Sequence, residues 1–436
     1  MSKQLRLIII SYLVFLAALC FFYRNIARTS FDGDESGWIS TASYYTKLLE
    51  RGSLDMEAWK CSECDTFGGD YNLHLGQWLL GIPLELYYAR NNLKFFNMYD
   101  YGAGGKLTDF AGIYRINKKM GKVPPYEILL PARAVSAIFG AMCCVAVFLI
   151  GYYSLNLWVG LIAAGFLMWN RIFTLYAAQA MTDVYFNFFL LCAYLAIVRF
   201  KVPIPKASSR TLSLIVGIFA GLATSVKITG IVIIGLILAG FLMYVYFIRY
   251  KPYKGILLDL AIFFCVAVAV VYLLNPYFWD LRHPLRFFQM FLARNDILNT
   301  QVRIYGDHFH GQSRFLAASL NVLEYYSYRP HYPLLYYFFA AIFCCGALAV
   351  NGIIFVKSLF KRVFNPRVVI FLFFLINYLF ILQFLKMSWA RYYLPAVIAA
   401  GLITAIFIYD GLLFFFRMAA KVKSRYIRGG CKAKEL

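Results

Sequence analysis

Ten apolar runs dominate the chain, near residues 5–22, 132–151, 156–170, 181–199, 212–226, 228–248, 256–274, 333–356, 368–385 and 393–416. Most approach the roughly 20 residues that a helix needs to cross a bilayer, although 212–226 is short. Charged residues make up only 15% of the chain, against roughly 25% in soluble domains. The sequence therefore predicts an all-α polytopic membrane protein with about ten transmembrane helices. The first run follows Lys3 and Arg6 and has the look of a signal peptide. No small-residue cleavage site follows it, and Leu19 before Cys20 does not suit a lipoprotein site, so a retained helix is expected.

The net charge of +22 is explained by topology. With the N-terminus cytoplasmic, alternate loops and the C-terminal tail hold 20 of the 43 basic residues and a single acid, Glu435. That is the pattern of the positive-inside rule, and it returns the C-terminus to the cytoplasm. Contact with anionic membrane lipids follows. No basic soluble module is visible, so nucleic acid is not an expected partner. The expected layout is a membrane domain over 1–416, with long outer loops at 23–130 and 275–332, and a basic cytoplasmic tail at 417–436.

This orientation gathers the polar groups of interest on the outer side. Phe31-Asp-Gly-Asp-Glu-Ser-Gly-Trp38 places three carboxylates within four residues beside the membrane, where acids are costly to desolvate and commonly mark chemistry. Ser36–Tyr45 reads as a short helix, with Trp38, Tyr44 and Tyr45 suited to the interface. The competing reading is a solvated turn in which Asp34 or Ser36 merely caps that helix. Asp183 stands at the outer start of the fourth run, as a functional acid or, with Thr182, as a helix cap. Lys227 separates two apolar runs and suits either a snorkelling anchor or a contact to a lipid phosphate. Lys386-Met-Ser-Trp-Ala-Arg391-Tyr-Tyr-Leu-Pro395 suits a guanidinium held against a phosphate, or an interfacial anchor.

Two stretches, Tyr71–Arg90 and Arg282–Arg294, read as amphipathic helices lying on the membrane. Metal signals are weak. Cys61-x-x-Cys64 with Asp65 and His74 lacks a second pair, and Asp307-His-Phe-His310 is no stronger. Asp32-x-Asp34 has the spacing of a divalent-metal motif in sugar transferases but no third ligand. No cofactor is required by the sequence, and a divalent metal ion is the one candidate. The remaining cysteines, apart from Cys431 in the tail, sit in apolar runs and act as small hydrophobes.

Taken in order, these residues resemble the polyprenyl-phosphate-sugar-dependent membrane glycosyltransferases of the GT-C fold. That superfamily includes the protein O-mannosyltransferases, the lipid A aminoarabinose transferases and the RgtA/B/C/D-like group. The resemblance spans roughly Leu5–Leu412 and rests on seven features. They are Asp34-Glu35, the segment Leu73-His-Leu-Gly-Gln77, Pro131-Ala-Arg133 through Gly140, Asp183, Lys227-Ile-Thr-Gly230, Asn275-Pro before Trp279, and Arg391-Tyr-Tyr-Leu-Pro395. The Trp-Trp-Asp-Tyr-Gly motif of oligosaccharyltransferases is absent.

The resemblance implies an inverting glycosyltransferase acting at the outer face of a plasma membrane. Its partners would be a polyprenyl-phosphate-linked sugar and a lipid, glycan or protein acceptor. Asp34 would be the general base, with Glu35 and Asp183 orienting it or the acceptor. Lys227, Lys386 and Arg391 would hold the donor phosphate, and His74 and Tyr392 would contact sugar or acceptor. Two other classes compete. A transporter of lipid-linked sugar would place its sites near the midplane on broken helices, often in repeated halves, and no repeat is visible. A non-catalytic subunit would explain the outer loops but not the ordered acids and bases.

Overall fold

Each apolar run coincides with a helix of the structure, a computed structural model that describes residues 2–42, 73–91, 99–100, 110–199, 206–249, 254–279, 285–305, 313–327, 334–384 and 389–432. In chain order the first helices are α1 (Lys3–Ile26), α2 (Gly33–Thr41), α3 (Leu75–Asn91), α4 (Phe110–Lys119), α5 (Tyr126–Ser154) and α6 (Leu157–Trp169). Then come α7 (Arg171–Ala177), α8 (Asp183–Arg199), α9 (Lys206–Val226), α10 (Gly230–Arg249) and α11 (Lys254–Leu274). The last are α12 (Arg286–Tyr305), α13 (Arg314–Ser327), α14 (Leu334–Lys361), α15 (Pro366–Phe384) and α16 (Leu394–Lys432). There is no strand among the described residues. The two amphipathic stretches coincide with α3 and α12, the second running further than the sequence suggested.

Seven helices among the described residues are long and apolar enough to cross a membrane, or eight if α6 and α7 form one bent span. The bend is 71° and has a local cause. The Asn170 side chain caps α7 by accepting from Phe173 N at 2.9 Å. Its amide nitrogen donates to the carbonyls of Tyr325 and Tyr326 at 3.1 and 3.3 Å. An Asn that bonds its own backbone offers an alternative to continuing the helix, so the apolar run around it breaks. The described apolar part of α10, Gly230–Val245, is shorter than the spanning length.

The bundle is built around α5, which packs on α1, α6 and α8, while α16 packs on α6, α14 and α15. At Gly151 a Cβ would lie 2.8 Å from Gly160 Cα, so glycine lets the α5 and α6 backbones approach this closely. Apolar residues such as Ile8, Leu13, Leu257, Val268 and Leu273 face outward, as they must in a bundle surrounded by lipid. The two ends of the bundle are distinct. At one, Arg367 at the start of α15 pairs with Asp410 on α16, Nη2 to Oδ1 at 2.9 Å. The other carries α2, α7, the start of α8, the end of α9 and the turn Ala390–Tyr393 that precedes α16.

Candidate active site

The site begins with the cap of α2. Asp32 is the N-cap: its Oδ1 accepts from Asp34 N at 3.0 Å, and Glu35 Oε2 accepts from Asp32 N at 3.0 Å. This is a capping box, for which an acid three residues after the cap is the signature. It corrects the expectation that Asp34 or Ser36 caps a helix over Ser36–Tyr45; the helix opens three residues earlier. Trp38 is also not an interfacial residue, because α2 is folded into the bundle and its ring is buried in the core. Tyr44 and Tyr45 lie outside the described residues.

Glu35 is fully buried and meets Arg133 of α5 through two hydrogen bonds, Nε to Oε1 at 2.8 Å and Nη2 to Oε2 at 2.7 Å. Arg133 also donates to the carbonyls of Ile26, Thr29 and Ser30 at 2.9, 2.9 and 3.1 Å. A guanidinium has five N–H donors, and all five are used. Ala180 N, on the turn before α8, donates to Glu35 Oε1 at 2.8 Å. Glu35 thus ties α2 to the end of α1, to α5 and to that turn. Its carboxylate has no face left for a substrate, so it fixes where Asp34 stands. The sequence reading gave Arg133 no role, although a lone charge in an apolar run is the signal that would have found it.

Asp34, one residue earlier, points elsewhere. Its Oδ2 accepts from Arg391 Nη1 at 2.5 Å, and both side chains are 19% exposed. Asp183 and Lys227 form a second ion pair. Asp183 opens α8, where free N–H groups favour a negative charge, and Lys227 follows the last residue of α9, where free carbonyls favour a positive one. Two helix ends of opposite polarity are thus brought face to face, and Asp183 engages Lys227 rather than acting only as a cap.

Tyr392 joins the two pairs. Lys227 Nζ and Arg391 Cζ each lie 5.6 Å from its ring centroid. Arg391 also sits 4.6 Å from the Trp389 ring, which stacks on Tyr392 at 5.8 Å. Such cation–π contacts hold the cations without consuming their hydrogen bonds.

The electrostatics follow from this geometry. Burial opposes the Arg391 charge, and Asp34, Tyr392 and Asp183 favour it. Burial, then the neighbouring Asp34 carboxylate, push Asp32 up to about 6. Arg294 of α12 is a residue the sequence reading did not single out. Its pKa is lowered by burial; Tyr392 and Asp34 act against that and Arg391 with it, so it sits within electrostatic reach of the pair.

The first turn of α3 forms the adjoining wall. A Cβ on Gly76 would lie 2.7 Å from Thr182 Cγ2 and 3.6 Å from Val226 Cγ1, the residues just before Asp183 and Lys227. Asn275 stitches this corner together. It accepts from His74 N at 2.8 Å and donates to Ser225 Oγ at 3.2 Å and to the Val271 carbonyl at 2.6 Å. His74 is itself buried, and that burial lowers its pKa to about 4, so the ring is neutral.

The structure therefore brings together Asp32, Asp34, Glu35, Asp183, Lys227, Arg391 and Tyr392, with His74 in the adjoining wall. Lys386, Cys61, Cys64, Asp65 and Asp307–His310 lie outside the described residues. Among the described residues no three His, Cys, Asp or Glu side chains cluster as metal ligands would. Asp32 and Asp34 are engaged by the cap and by Arg391.

Comparisons with known proteins agree with this architecture. Residues 87–281 match the family model described as dolichyl-phosphate-mannose-protein mannosyltransferase. That segment holds Asp183 and Lys227 but neither Asp34 nor Arg391. No curated protein sequence matches the chain. In structure it is similar to ArnT from Cupriavidus metallidurans bound to undecaprenyl phosphate, with TM-score 0.51 and 12% identity over 91% of this chain and 59% of that one. It is also similar to the Archaeoglobus fulgidus oligosaccharyltransferase in its apo form, with TM-score 0.51 and 12% identity over 94% of this chain and 52% of that one. A third likeness is to AglB from the same archaeon in complex with an inhibitory peptide and a dolichol-phosphate, with TM-score 0.50 and 13% identity over 94% and 52%. The chain spans between half and three-fifths of the length of these proteins. The chain thus has the GT-C fold of these membrane proteins.

Proposed function

We propose that the chain is an inverting glycosyltransferase that moves a sugar from a polyprenyl-phosphate donor to an acceptor hydroxyl at the outer face of a plasma membrane. The observation that carries this reading is the meeting of two acid–base pairs, Asp34–Arg391 and Asp183–Lys227, across Tyr392 at one end of the bundle. The solved ArnT and AglB structures that resemble it hold polyprenyl phosphates. The cytoplasmic placement of both termini belongs to the same proposal.

In this reading Asp34 takes the acceptor's proton as its oxygen bonds to the anomeric carbon, and the bond from that carbon to the phosphate oxygen breaks with inversion. The electron pair leaves on the phosphate, already a good leaving group, so no strong general acid is needed. Arg391 and Lys227 neutralise the charge gathered there, which is where fixed cations contribute most to rate. Glu35 positions the base, and Asp183 holds Lys227 and faces the acceptor. A lipid-linked-sugar transporter is favoured only by the bent α6–α7 pair, since transporters build sites on broken helices.

The test is the lipid-linked sugar pool. Membranes of a deletion strain, rescued with wild type or Asp34→Asn, are compared by mass spectrometry. One polyprenyl-phosphate sugar should accumulate in the deletion and in Asp34→Asn but not with wild type. Loss of a general base typically costs roughly 10²–10⁴-fold in turnover. Near-normal turnover in Asp34→Asn would sink the assignment, and movement of donor without its consumption would favour a transporter.

A further inference from the structure

Beside the two ion pairs stands a hydroxyl to which the reaction described above gives no task. Tyr176 lies in the last turn of α7, which packs on α8, on α13 and on the turn Ala390–Tyr393. Its hydroxyl is within electrostatic reach of Asp183, Arg391, Asp32 and Tyr325, and among the described residues it forms no hydrogen bond. We infer that Tyr176 gives this hydroxyl to the sugar of the donor, as a contact that helps set which sugar is accepted. The inference rests on the glycosyl-transfer reading above and names a residue for its sugar subsite.

Local structure holds the phenol in place. Ile172, Phe173 and Ala177 are buried, and Tyr176 shares their helix face but is only part-buried. The chain is pinned on both sides of it. Before it, the Asn170 side chain caps α7 and donates to the Tyr325 and Tyr326 carbonyls, which sets the 71° bend that turns α7 off the line of α6. After it, Gln179 Nε2 donates to the Ser30 carbonyl at 3.3 Å and Ala180 N donates to Glu35 Oε1 at 2.8 Å. A side chain whose backbone is fixed in this way loses little freedom on meeting a ligand. The bend thus has a use, since a straight continuation of α6 would carry Tyr176 away from Asp183 and Arg391. The surroundings select the ligand group. A phosphate placed between Asp32 and Asp183 would meet two like charges, whereas sugar hydroxyls donate to carboxylates. A phenol both donates and accepts, as a sugar hydroxyl does, so the two can pair in either sense. The phosphate is left to Lys227 and Arg391, the two cations on the Tyr392 ring.

The experiment uses the purified full-length protein, wild type and Tyr176→Phe, and measures binding of two lipids by native mass spectrometry. One is the polyprenyl-phosphate sugar that accumulates in the deletion strain. The other is polyprenyl monophosphate, which carries no sugar. Losing one uncharged hydrogen bond should weaken binding of the sugar-bearing lipid roughly three- to tenfold. Polyprenyl monophosphate should bind Tyr176→Phe as it binds wild type, which also shows that the variant is folded. Equal weakening of both lipids would put the hydroxyl on the phosphate or in the fold, and would overturn the sugar contact while the donor reading survives. Unchanged binding of both would overturn it as well, since the hydroxyl would then touch neither. If wild type binds neither lipid, the donor reading itself falls, and the inference with it.

Discussion

Replacing Arg133 by methionine should be among the most damaging single changes in the chain. Methionine keeps an apolar body in α5 but removes all five donors. Glu35, with no exposed surface, would then be a buried charge without its cation. Breaking a buried ion pair by removing one partner costs about 3–5 kcal/mol. The carbonyls of Ile26, Thr29 and Ser30 each lose one donor as well; Ile26 keeps Thr29 N and Ser30 keeps the Gln179 amide, so this adds about 1 kcal/mol, mainly at Thr29. Arg133→Lys keeps the charge but offers three donors in place of five, so it should fall between wild type and methionine. The assay is denaturant unfolding of the detergent-purified protein for Arg133→Met, Glu35→Gln and the double variant. Neutralising Glu35 removes the stranded charge, so the double variant should be more stable than the sum of the single losses, with a coupling of about 1–3 kcal/mol. An Arg133→Met protein within about 1 kcal/mol of wild type, or strictly additive losses, would refute the clamp.

Two further outcomes are expected. Because burial and Asp34 raise Asp32 to about 6, its carboxyl takes a proton as the pH falls through that value. Above it, the ionised Asp32 strengthens Asp34 as a base; turnover should therefore drop below about pH 6, and the pH–rate profile of Asp32→Asn should lack that inflection. Stability runs the other way: a folded-state pKa above the unfolded value of 3.8 contributes stability that is fully present below 3.8 and lost as pH rises through about 6. Gly76→Ala places a methyl 2.7 Å from Thr182 Cγ2. It should push the Thr182–Asp183 turn away from Lys227 and lower turnover more than it lowers unfolding stability; unchanged turnover would show that this wall does not set the site.

The bundle was legible because membrane helices declare themselves in one dimension. Apolar length and loop charge give the helices and the common end to which Asp34, Asp183, Lys227 and Arg391 belong. The bend at Asn170 was not legible, since the apolar run continues through it and the break depends on carbonyls more than 150 residues away. The capping box at Asp32 was written in the residues themselves and was misread by choosing Asp34 or Ser36 instead.

The sequence by itself determined that the chain lives in a membrane, that its apolar runs are helical, and that Asp34, Asp183, Lys227 and Arg391 belong to one end. Hydropathy and charge act residue by residue, so they survive in the linear text. Only the tertiary structure decided the partners. Nothing local in Asp34-Glu35 says that one carboxylate is locked to Arg133 while its neighbour meets Arg391, 357 positions further on. Adjacent residues on a helix point about 100° apart, so two acids side by side in sequence serve different surroundings in space.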